Sequence, residues 1–469
     1  MRKTKIVCTI GPACSNEETL TEMCKAGMNV ARLNFSHGSH EEHKARIELI
    51  KRVREKLDMP IAILLDTKGP EYRIRSFKNG KIFLNEGDKF TFYAAEREGD
   101  ENGVSVSYPK LAQELAIGDM ILLSNGLLHF RVDGFDGDDV VTTVTDGGEL
   151  SDRKSMSFPG KVLNQVYLSE QDKSDILFGI ENEVDFIACS FVSRQQDLID
   201  VKNFMLEHGG NDIDLIAKIE NRSGVDNIEA ICEECSGIMI GRGDMGVEIP
   251  FEELPYIQKN LIAKCSMLGK RVITATEMLE SMINNPRPTR AETSDVANAV
   301  YDGTSAIMLS GETAAGKYPV LTVKTMARIA LHTEQTIDYA KRFHDREFVT
   351  NNPVDAISHA TCAMAIDLDA KAIAVCSLSG LTARMVSRFR PPVDILGLTT
   401  DARTSRKLAL SWGVTPAICE RLESTDVLFY NAKLTTKHEF NLQRGDRLVI
   451  TGGITGVSGN TSLLKVETI

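Results

Sequence analysis

Eight short apolar segments recur along the chain, each followed by a stretch with helical periodicity, and this alternation most limits the folds available to it. The segments begin near residues 5, 29, 61, 185, 214, 237, 271 and 306, so successive starts lie about 23 to 35 residues apart with one exception. The exception is a gap of about 124 residues after the third segment, which leaves an insertion of roughly 95. Eight alternating βα units close into a barrel. The sequence therefore predicts an α/β fold, a (β/α)8 TIM barrel that carries one inserted domain.

Turn signals distinguish the inserted segment and the last third of the chain from the barrel units. From about residue 72 to 165, strands are broken at Asn79-Gly80, Glu86-Gly87-Asp88, Asn125-Gly126 and Gly134 to Asp139, with one short helix predicted at Lys110 to Leu115. After Asn351-Asn352-Pro353, a further α/β unit has strands near Ala372 to Cys376, Asp394 to Leu398, Arg447 to Thr451 and Leu464 to Glu467. We expect the first part of the barrel at 1–69, an inserted β-rich domain at 70–168, the second part of the barrel at 169–345, and a C-terminal α/β open-sheet domain at 346–469.

The first helix has recognisable end signals. Ser15, with Glu18 three residues later, predicts a capping box at its start, and Gly27 is placed to end it.

Composition excludes several classes of function. Lys and Arg total 54 and Asp and Glu total 66, so the net charge is −12 and nucleic acid is an unfavourable partner. No apolar run approaches the ~20 residues of a membrane-spanning helix, and the N-terminus lacks the apolar stretch of a secretory signal, so we expect a cytoplasmic protein without membrane association. The ten cysteines lie mostly in apolar segments and are expected to be reduced thiols. Cys232 and Cys235 lack the second pair that a zinc site needs.

Polar and charged residues follow five of the eight predicted strands. These strand ends are Arg32 to His37, Asp66 to Lys68, Lys218 to Glu220, Arg242 to Asp244, and Thr274 to Glu277. Because the carboxyl ends of barrel strands meet at one rim, the carboxylates, hydroxyls and cations should form one oxygen-rich site suited to a hard cation such as Mg²⁺. Lys218 and Glu220 are two residues apart, so both should project from the rim side by side.

Glycines follow the sixth strand, in the segment from Gly241 to Gly246. At a strand end before a helix, they would expose backbone N–H groups to a small carboxylate or phosphate. The alternative interpretation is an ordinary tight βα turn.

Eight sequence blocks spread over nearly the whole chain resemble those of pyruvate kinases. The thirteen residues from Ile213 to Val225 fit the segment around that family's catalytic lysine, and seven further blocks fit in the family's order, at 9–12, 29–38, 65–71, 241–248, 273–279, 285–290 and 308–312. The resemblance implies transfer of the phosphoryl group of phosphoenolpyruvate to ADP, giving pyruvate and ATP in glycolysis, with Mg²⁺ or Mn²⁺ and K⁺ as cofactors.

The resemblance also implies roles for individual residues around the transferred group. Glu220 and Asp244 would bind Mg²⁺, while Lys218 and Arg32 would hold the phosphoryl group, and Lys218 would also neutralise the enolate. The amides of Gly243 and Asp244 would bind the substrate carboxylate. Thr276 would lie near the face where enolpyruvate is protonated.

Potassium and nucleotide ligands are implied in the same way. The K⁺ ligands would be Asn34, Ser36, Asp66 and Thr67, with Glu71 the residue type that accompanies a need for potassium. The nucleotide would contact Asn34, His37, Arg73 and Lys154, with Arg153 as the competitor of Lys154. Tyr72 departs from the family's usual aliphatic residue at this position. The resemblance also implies that the inserted domain, at 70–168, is a β-barrel lid domain, which would close over the site and exclude water.

The C-terminal domain resembles the family's regulatory domain. Ser377, Ser379, Gly380 and Thr382 follow a strand and open a helix, where a phosphate group would find hydroxyls and amides, and Gly452 to Thr461 would form a facing loop. A sugar-phosphate activator is the functional interpretation, and ordinary turns are the alternative. The family also implies a homotetramer.

Two other functions compete with this one. A barrel lyase or aldolase acting on pyruvate or oxaloacetate would also use Mg²⁺ on carboxylates at strand ends, but it leaves Arg73, Lys154 and the lid without a role. A sugar-phosphate sensor with a decayed barrel is a non-enzymatic alternative.

Overall fold

The first barrel strand begins at Lys5. The computed structural model describes residues 1–422, 424–453 and 461–469. The first part of the barrel contains β1 (Lys5–Thr9), α1 (Glu17–Ala26), β2 (Val30–Asn34), α2 (His40–Leu57) and β3 (Ala62–Asp66), with a 3-10 turn at Pro12–Cys14.

The start of α1 differs from its prediction by one residue. Asn16 caps the helix, and its side chain accepts a hydrogen bond from the Thr19 amide at 2.9 Å. The Ser15 hydroxyl instead donates to the Gly11 carbonyl at 2.7 Å. The capping box at Ser15 and Glu18 is therefore wrong, because the preceding 3-10 turn engages Ser15. Gly27 ends the helix as predicted, with a left-handed φ of 118°.

The insertion is a β domain with its own core. Its elements are β4 (Tyr72–Arg73), β5 (Lys81–Leu84), β6 (Lys89–Tyr93), β7 (Gly103–Ser105), α3 (Leu111–Glu114), β8 (Met120–Leu123), β9 (Leu128–Asp136), β10 (Asp139–Asp146), β11 (Gly148–Ser151) and β12 (Ser155–Ser157). They form a seven-stranded sheet in the order β4-β12-β8-β9-β10-β6-β7, and a two-stranded sheet of β11 and β5. The break predicted at Gly134 to Asp139 is confirmed by the turn that begins at Gly137, although Gly134 itself still belongs to β9, which pairs with β10 as far as Asp136.

The chain then returns and completes the barrel. The second part contains α4 (Glu170–Glu181), β13 (Phe186–Cys189), α5 (Gln195–Glu207), β14 (Asp214–Ile219), α6 (Arg222–Asp226), α7 (Ile228–Glu234), β15 (Gly237–Gly241), α8 (Arg242–Glu248), α9 (Leu254–Met267), β16 (Arg271–Ala275), α10 (Arg290–Asp302), β17 (Ala306–Leu309), α11 (Gly311–Ala314), α12 (Pro319–Gln335) and α13 (Tyr339–His344). The closed order β1-β17-β16-β15-β14-β13-β3-β2 joins strands from both sides of the insertion. The predicted eight-stranded parallel barrel is confirmed.

The C-terminal domain is an open sheet with helices packed against it. Its elements are α14 (Pro353–Asp367), β18 (Ala372–Cys376), α15 (Leu381–Arg388), β19 (Asp394–Thr399), α16 (Ala402–Leu408), β20 (Val414–Ile418), α17 (Thr425–Glu439), β21 (Arg447–Gly453) and β22 (Thr461–Thr468). The strand order is β20-β19-β18-β21-β22, with β22 antiparallel to β21. Four of these strands were predicted and β20 was not. The domain boundaries near residues 69, 168 and 345 stay predictions.

The helices and the cysteines bear on two expectations drawn from the composition. Among the helices of the described residues, none combines the length and hydrophobicity that crossing a membrane requires. All ten cysteines are free thiols, and nine of them are buried.

Candidate active site

Parallel strand pairing brings the predicted strand ends to one rim of the barrel. The register aligns Asn34 of β2 with Asp66 of β3, and Asp66 with Ala188 of β13. Lys218 lies on β14, beside Met239 of β15. Side chains from distant parts of the sequence therefore converge where β2, β3, β13 and β14 end.

Lys218 lies at the centre of this rim. Its Nζ is 3.1 Å from Asp66 Oδ1, 3.1 Å from Glu220 Oε1, and 2.6 Å from Ser190 Oγ. Burial alone would lower the pKa of the ammonium group, but the carboxylates of Asp66 and Glu220 outweigh this effect and raise it. Lys218 is therefore a buried, permanently charged cation that faces the rim.

Arg32 supplies a second cation to the same carboxylate. Its Nε donates to Asp66 Oδ2 at 2.6 Å, and its Nη1 donates to Thr9 Oγ1 at 2.9 Å. Asp66 is fully buried, and burial opposes its ionisation. Arg32 and Lys218 nevertheless hold the pKa of Asp66 below its ordinary value. Asp66 therefore binds both cations and fixes their side chains at the rim.

Glu220 and Asp244 line one cleft between the rim and the lid. This cleft of about 290 Å³ also includes Pro70, where the chain enters the lid, and Phe158, where it leaves. Glu220 is 2% exposed, and its Oε2 accepts a hydrogen bond from the Phe191 amide at 2.8 Å. Burial raises the pKa of Glu220 to about 7, and the negative charges of Asp244 and Asp66 add to this effect against the opposing Lys218.

A glycine permits Glu220 to occupy this position. A Cβ atom on Gly241 would lie 2.7 Å from both Cγ and Oε1 of Glu220, closer than atoms approach in proteins. The predicted strand-end glycine thus has an identifiable packing reason, besides its place in the turn.

The two carboxylates that line the cleft, Glu220 and Asp244, could bind a hard cation whose remaining ligands come from the substrate. Across residues 1–422, 424–453 and 461–469, no group of three or more His, Cys, Asp or Glu side chains is placed to hold a metal. Mg²⁺ is usually bound in enzymes by one or two carboxylates, with substrate oxygens and water completing its octahedron. Glu220, whose pKa is raised by burial and further by the charge of Asp244, matches that donor set.

Thr276 follows β16, which pairs with β15 in the barrel, and it lies in a strained turn. Thr276 and Glu277 have left-handed φ angles of 67° and 53°. The Thr276 hydroxyl accepts a hydrogen bond from the Gly243 amide at 2.8 Å and donates to the Ala275 carbonyl at 2.6 Å. The Gly243 amide is thus paired with Thr276 rather than free.

The Arg242 guanidinium holds this turn in place. Arg242 donates to the carbonyls of Ala275 at 3.2 Å and Thr276 at 2.5 Å, and it pairs with Asp295 at 2.7 Å.

The end of β2 and the turn after it contain three of the predicted potassium and nucleotide residues, Asn34, Ser36 and His37. Asn34 Oδ1 accepts a hydrogen bond from the Ser36 amide at 3.2 Å, and the His37 carbonyl is 2.8 Å from Nε2 of buried His43. Asp66 and Thr67 follow on β3 and the next residue, and the Thr67 carbonyl accepts from Ser190 Oγ at 2.6 Å.

Arg73 and its neighbours form a basic cleft on the lid side. The Arg73 guanidinium pairs with Glu71 and donates to the Arg153 carbonyl at 2.6 Å. Arg153 lines this cleft of about 620 Å³, whereas Lys154 is exposed and gives its backbone carbonyl to the Ile74 amide. The cleft is lined by five cations, Lys68, Arg73, Arg75, Arg97 and Arg153, and by three acids, Glu71, Glu96 and Glu98.

The predicted effector residues lie at the end of β18. Ser377 and Ser379 precede Gly380, which has a left-handed φ of 75° and immediately precedes α15. The Thr382 hydroxyl is 2.5 Å from the Thr461 hydroxyl, so the start of α15 lies beside the start of β22. Most of the predicted facing loop, residues 454–460, lies outside the described residues.

Two residues of the rim had no predicted role. Ser190 follows β13, and the sequence signal that would have found it is the end of the fourth barrel strand, Ala188-Cys189-Ser190. Arg242 stands in the glycine segment, but nothing in the sequence predicts its contact with Thr276, which lies 34 residues away.

A closed barrel with an inserted β domain and a rim of opposed charges defines an α/β-barrel enzyme. Comparison with known proteins identifies the family within this class of enzymes. A family model for the pyruvate kinase barrel domain matches residues 1–323, and one for the pyruvate kinase alpha/beta domain matches residues 355–467. The chain therefore belongs to the pyruvate kinase family, a family of phosphotransferases, and the resemblance drawn from its sequence blocks is confirmed.

Individual relatives agree with the family models. The pyruvate kinase of Staphylococcus epidermidis is 48% identical over 473 residues, covering 100% of this chain and 81% of the relative. That of Clostridium acetobutylicum is 46% identical over 472 residues, covering 100% of both. The crystal structure of a pyruvate kinase from Cryptosporidium parvum matches with a TM-score of 0.94 at 37% identity, over 100% of this chain and 96% of that one.

Proposed function

We propose that this protein transfers the phosphoryl group of phosphoenolpyruvate to ADP, giving pyruvate and ATP in glycolysis. The observation that carries the proposal is the position of Lys218, a buried cation 3.1 Å from both Asp66 and Glu220 at the barrel rim. In the reaction, the bond between phosphorus and the enol oxygen breaks, a terminal oxygen of ADP takes the phosphoryl group, and the enolate takes a proton on carbon.

Lys218 and Arg32 would bind the phosphoryl group. Both are cations with less than a tenth of their surface exposed, so their charge acts on a ligand with little screening by water. Lys218 would also stabilise the enolate that remains when the phosphoryl group leaves. Asp66 holds the two cations in place through its separate carboxylate oxygens.

Glu220 and Asp244 would hold Mg²⁺ or Mn²⁺ in the cleft beneath the lid. The ion, when bound, supplies a positive charge that neutralises oxygens of the phosphoryl group and of the substrate. The amides of Gly243 and Asp244 would bind the substrate carboxylate. The Gly243 amide would then exchange its bond to Thr276 for one to the substrate, which frees the Thr276 hydroxyl to relay a proton through water.

K⁺ would bind to oxygens of Asn34, Ser36, Asp66 and Thr67, which lie at the ends of the paired strands β2 and β3. ADP would contact Asn34 and His37 on the barrel and Arg73 and Lys154 on the lid. The basic cleft beside Arg73 supports this placement for the phosphates, and it favours Arg153 as a further contact. A nucleotide that touches both domains would draw the lid closed and exclude water.

Regulation is proposed at the C-terminal domain, through a sugar phosphate bound at Ser377, Ser379, Gly380 and Thr382. The support is the convergence of hydroxyl groups at the start of α15, where Thr382 and Thr461 meet. A homotetramer in the cytoplasm is proposed from family membership.

The decisive experiment is a coupled assay for ATP formation from phosphoenolpyruvate and ADP, with and without K⁺ and Mg²⁺. We expect ADP-dependent ATP formation, and we expect Lys218→Met to lower kcat by about 100- to 1,000-fold or more. The matched control is Lys270→Met, since Lys270 is a half-buried lysine before β16, at the opposite end of the barrel. Metal-dependent aldol cleavage without ATP formation would establish the lyase instead. Undiminished turnover of Lys218→Met would contradict the proposed role of Lys218.

The activator is tested separately in the same assay. Fructose 1,6-bisphosphate and sugar monophosphates are added at subsaturating phosphoenolpyruvate, where activation should raise the rate in the parent protein but not in Thr382→Val. The control variant Thr436→Val alters a buried threonine of α17, whose hydroxyl donates to the Ala432 carbonyl of its own helix. No response to any sugar phosphate would overturn the regulatory proposal and leave the catalytic one intact.

A further inference from the structure

One buried histidine contacts the residues on both sides of Ser36, in the turn that carries predicted potassium and nucleotide ligands. His43 lies near the start of α2 and is 1% exposed. Its Nε2 is 2.8 Å from the His37 carbonyl, and its ring is stacked on that of Phe35, with ring centres 4.0 Å apart and an interplanar angle of 11°. His43 lies outside the eight sequence blocks, and the proposed reaction gives it no role.

The hydrogen bond to His37 defines which nitrogen of His43 carries the proton. A carbonyl only accepts hydrogen bonds, so Nε2 is the donor. Burial lowers the pKa of His43, against the opposing effect of the His37 carbonyl, so the ring is neutral at neutral pH. Its Nδ1 is buried and has no hydrogen-bond partner among the described residues. The polar contact of this side chain is therefore directed at the backbone of the predicted ligand turn.

Few other contacts fix the backbone at Ser36. Ser36 and His37 are exposed. The Ser36 amide donates to Asn34 Oδ1 at 3.2 Å and the His37 amide donates to the Asn34 carbonyl at 3.3 Å, which are long bonds within the turn itself. Before Ser36, the Phe35 amide anchors the turn to the Asp66 carbonyl at 3.0 Å. After Ser36, the next hydrogen bond to another element is the one between His37 and His43.

Aromatic rings from two helices pack against the same turn. Phe35 meets Phe178 of α4 with ring centres 5.6 Å apart, and His40 of α2 stacks on Phe178 at 4.5 Å. Nε2 of His40 lies 2.6 Å from Oδ1 of Asp175, which fixes His40 to α4. Phe35 is thus held by rings from both helices, and the His37 carbonyl is the part of the turn whose position depends on a single hydrogen bond.

We propose that His43 is a positioning residue for the K⁺ and nucleotide sites, which acts through its hydrogen bond to the His37 carbonyl. This inference rests on the proposed function, in which Ser36 supplies an oxygen to K⁺ and His37 contacts ADP. The four predicted K⁺ ligands offer amide, hydroxyl, carboxylate and carbonyl oxygens, a donor set that fits this ion. Holding the residues on both sides of Ser36 fixes its backbone angles, and therefore the direction of its hydroxyl group.

Two substitutions of similar size separate the hydrogen bond from the packing. His43→Leu loses the stacking and the donor, whereas His43→Gln loses the stacking but places an amide donor near the same carbonyl. We expect His43→Leu to raise the K⁺ concentration for half-maximal activation and the KM for ADP by about 3- to 10-fold, the range that one hydrogen bond contributes. The value of kcat at saturating K⁺ and ADP should change little, because Lys218 is not affected. His43→Gln should recover most of both constants.

Two measurements that do not depend on turnover test the same constants. In the parent protein, K⁺ should raise the midpoint of thermal unfolding relative to tetramethylammonium at equal ionic strength, because it binds the folded chain. This increase should be smaller in His43→Leu and should return in His43→Gln. Calorimetric titration with ADP should give a Kd that rises and recovers in the same two variants.

The matched control is His208→Leu, at the end of α5 before β14. Nδ1 of His208 is 2.8 Å from the Phe204 carbonyl, and the two rings are 4.4 Å apart, so this histidine has the same pair of contacts at the opposite end of the barrel. A second control, Ile50→Val, shortens a buried side chain of α2 that is 1% exposed. It should lower the thermal midpoint in both salts and leave the K⁺ and ADP constants unchanged.

The outcomes distinguish this inference from the proposed function. A parent protein that forms no ATP would overturn the proposed function, and the role of His43 with it. A parent that forms ATP, together with unchanged K⁺ and ADP constants in His43→Leu, would overturn the role of His43 alone. Equal changes in His43→Leu and His43→Gln would also overturn it, because the effect would then come from stacking and not from the hydrogen bond.

Discussion

The hydroxyl of Ser190 connects more of the candidate site than any other uncharged group described here. It accepts a hydrogen bond from Lys218 Nζ at 2.6 Å, and it lies 2.6 Å from the Thr67 carbonyl and 3.2 Å from Asp66 Oδ1. Its own backbone carbonyl is fixed by the Tyr167 hydroxyl at 2.6 Å. Ser190 is therefore a positioning residue, which orients the ammonium group of Lys218 relative to Asp66.

Replacing Ser190 by alanine should lower kcat by about 10- to 100-fold, because a hydrogen bond to a charged group contributes ~1.5–3 kcal/mol. The KM for ADP should change little, since Ser190 lies on the phosphoryl side of the site. Steady-state kinetics with both substrates varied measure the two effects separately.

The control is Ser193→Ala, which removes a hydroxyl three residues away that contacts Asn221 rather than Lys218. Ser190→Thr restores the hydroxyl and should recover part of kcat. Equal losses in Ser190→Ala and Ser193→Ala would mean that the loop, and not the bond to Lys218, determines the rate.

The eight barrel strands were predicted from the sequence, whereas the edge strand β20 of the C-terminal sheet was not. The barrel strands are continuous apolar runs buried on both faces, which gives them a strong signal. Strand β20 was missed because it contains Pro416, which an edge strand tolerates but which weakens a strand prediction. The break predicted at Gly134 to Asp139 contains the observed turn but begins too early, because a glycine inside a strand imitates a turn signal.

The two segments that join the inserted β domain to the barrel, the hinge of the proposed lid, contact each other through aromatic rings. The ring of Tyr72 on β4 lies 5.4 Å from that of Phe158, just beyond β12, at an interplanar angle of 84°, and it also meets Tyr108 at 5.6 Å. β4 pairs with β12 over only two residues, so the rings contribute much of what joins the segments. Arg73, adjacent to Tyr72, depends on this arrangement for its position.

Tyr72→Ala should therefore loosen the hinge by about 1–2 kcal/mol, because each aromatic pair contributes ~0.5–1.5 kcal/mol beyond its buried area. Hydrogen exchange should become faster in β4 and β12, and the KM for ADP should rise several-fold while the KM for phosphoenolpyruvate changes little. Phe83→Ala, which removes a lid ring that is 66% exposed, should leave both measurements unchanged. A rise in both KM values of equal size would contradict a specific effect on the nucleotide side.

In the whole molecule, the ends of the barrel strands allowed the candidate active site to be predicted. They gave no prediction of how the barrel contacts the C-terminal domain. The rim converged as expected because parallel pairing in a closed barrel fixes where strands end. The contact between the barrel and the C-terminal domain has no such rule. There, Lys3 Nζ donates to the Val393 carbonyl, and Lys5 Nζ donates to the Val414 carbonyl, across about 400 residues of sequence. No local sequence pattern predicts that Lys3, just before β1, and Lys5, the first residue of β1, are buried.

Lys5 makes this contact between domains sensitive to pH. It is 7% exposed, and burial, with the positive charge of Arg2, lowers its pKa to about 7 from the ordinary 10.5, despite Glu334 and Asp394. Since the folded-state pKa lies below the unfolded value, the unfolded chain binds more protons between pH 7 and 10.5. The contribution of Lys5 to the free energy of unfolding should rise with pH across that window, by at most about 1.4 kcal/mol per unit.

Urea unfolding followed by Trp412 emission measures this, because Lys3 lies 5.3 Å from the ring centre and Trp412 is buried at the same contact. Lys5→Met removes the titrating group, so the parent protein should gain stability relative to the variant as the pH rises above 7. Lys25→Met, at an exposed lysine of α1, should follow the parent at every pH. A difference between parent and Lys5→Met that stays constant with pH would show that the ammonium group of Lys5 keeps the same charge in the folded and unfolded chain.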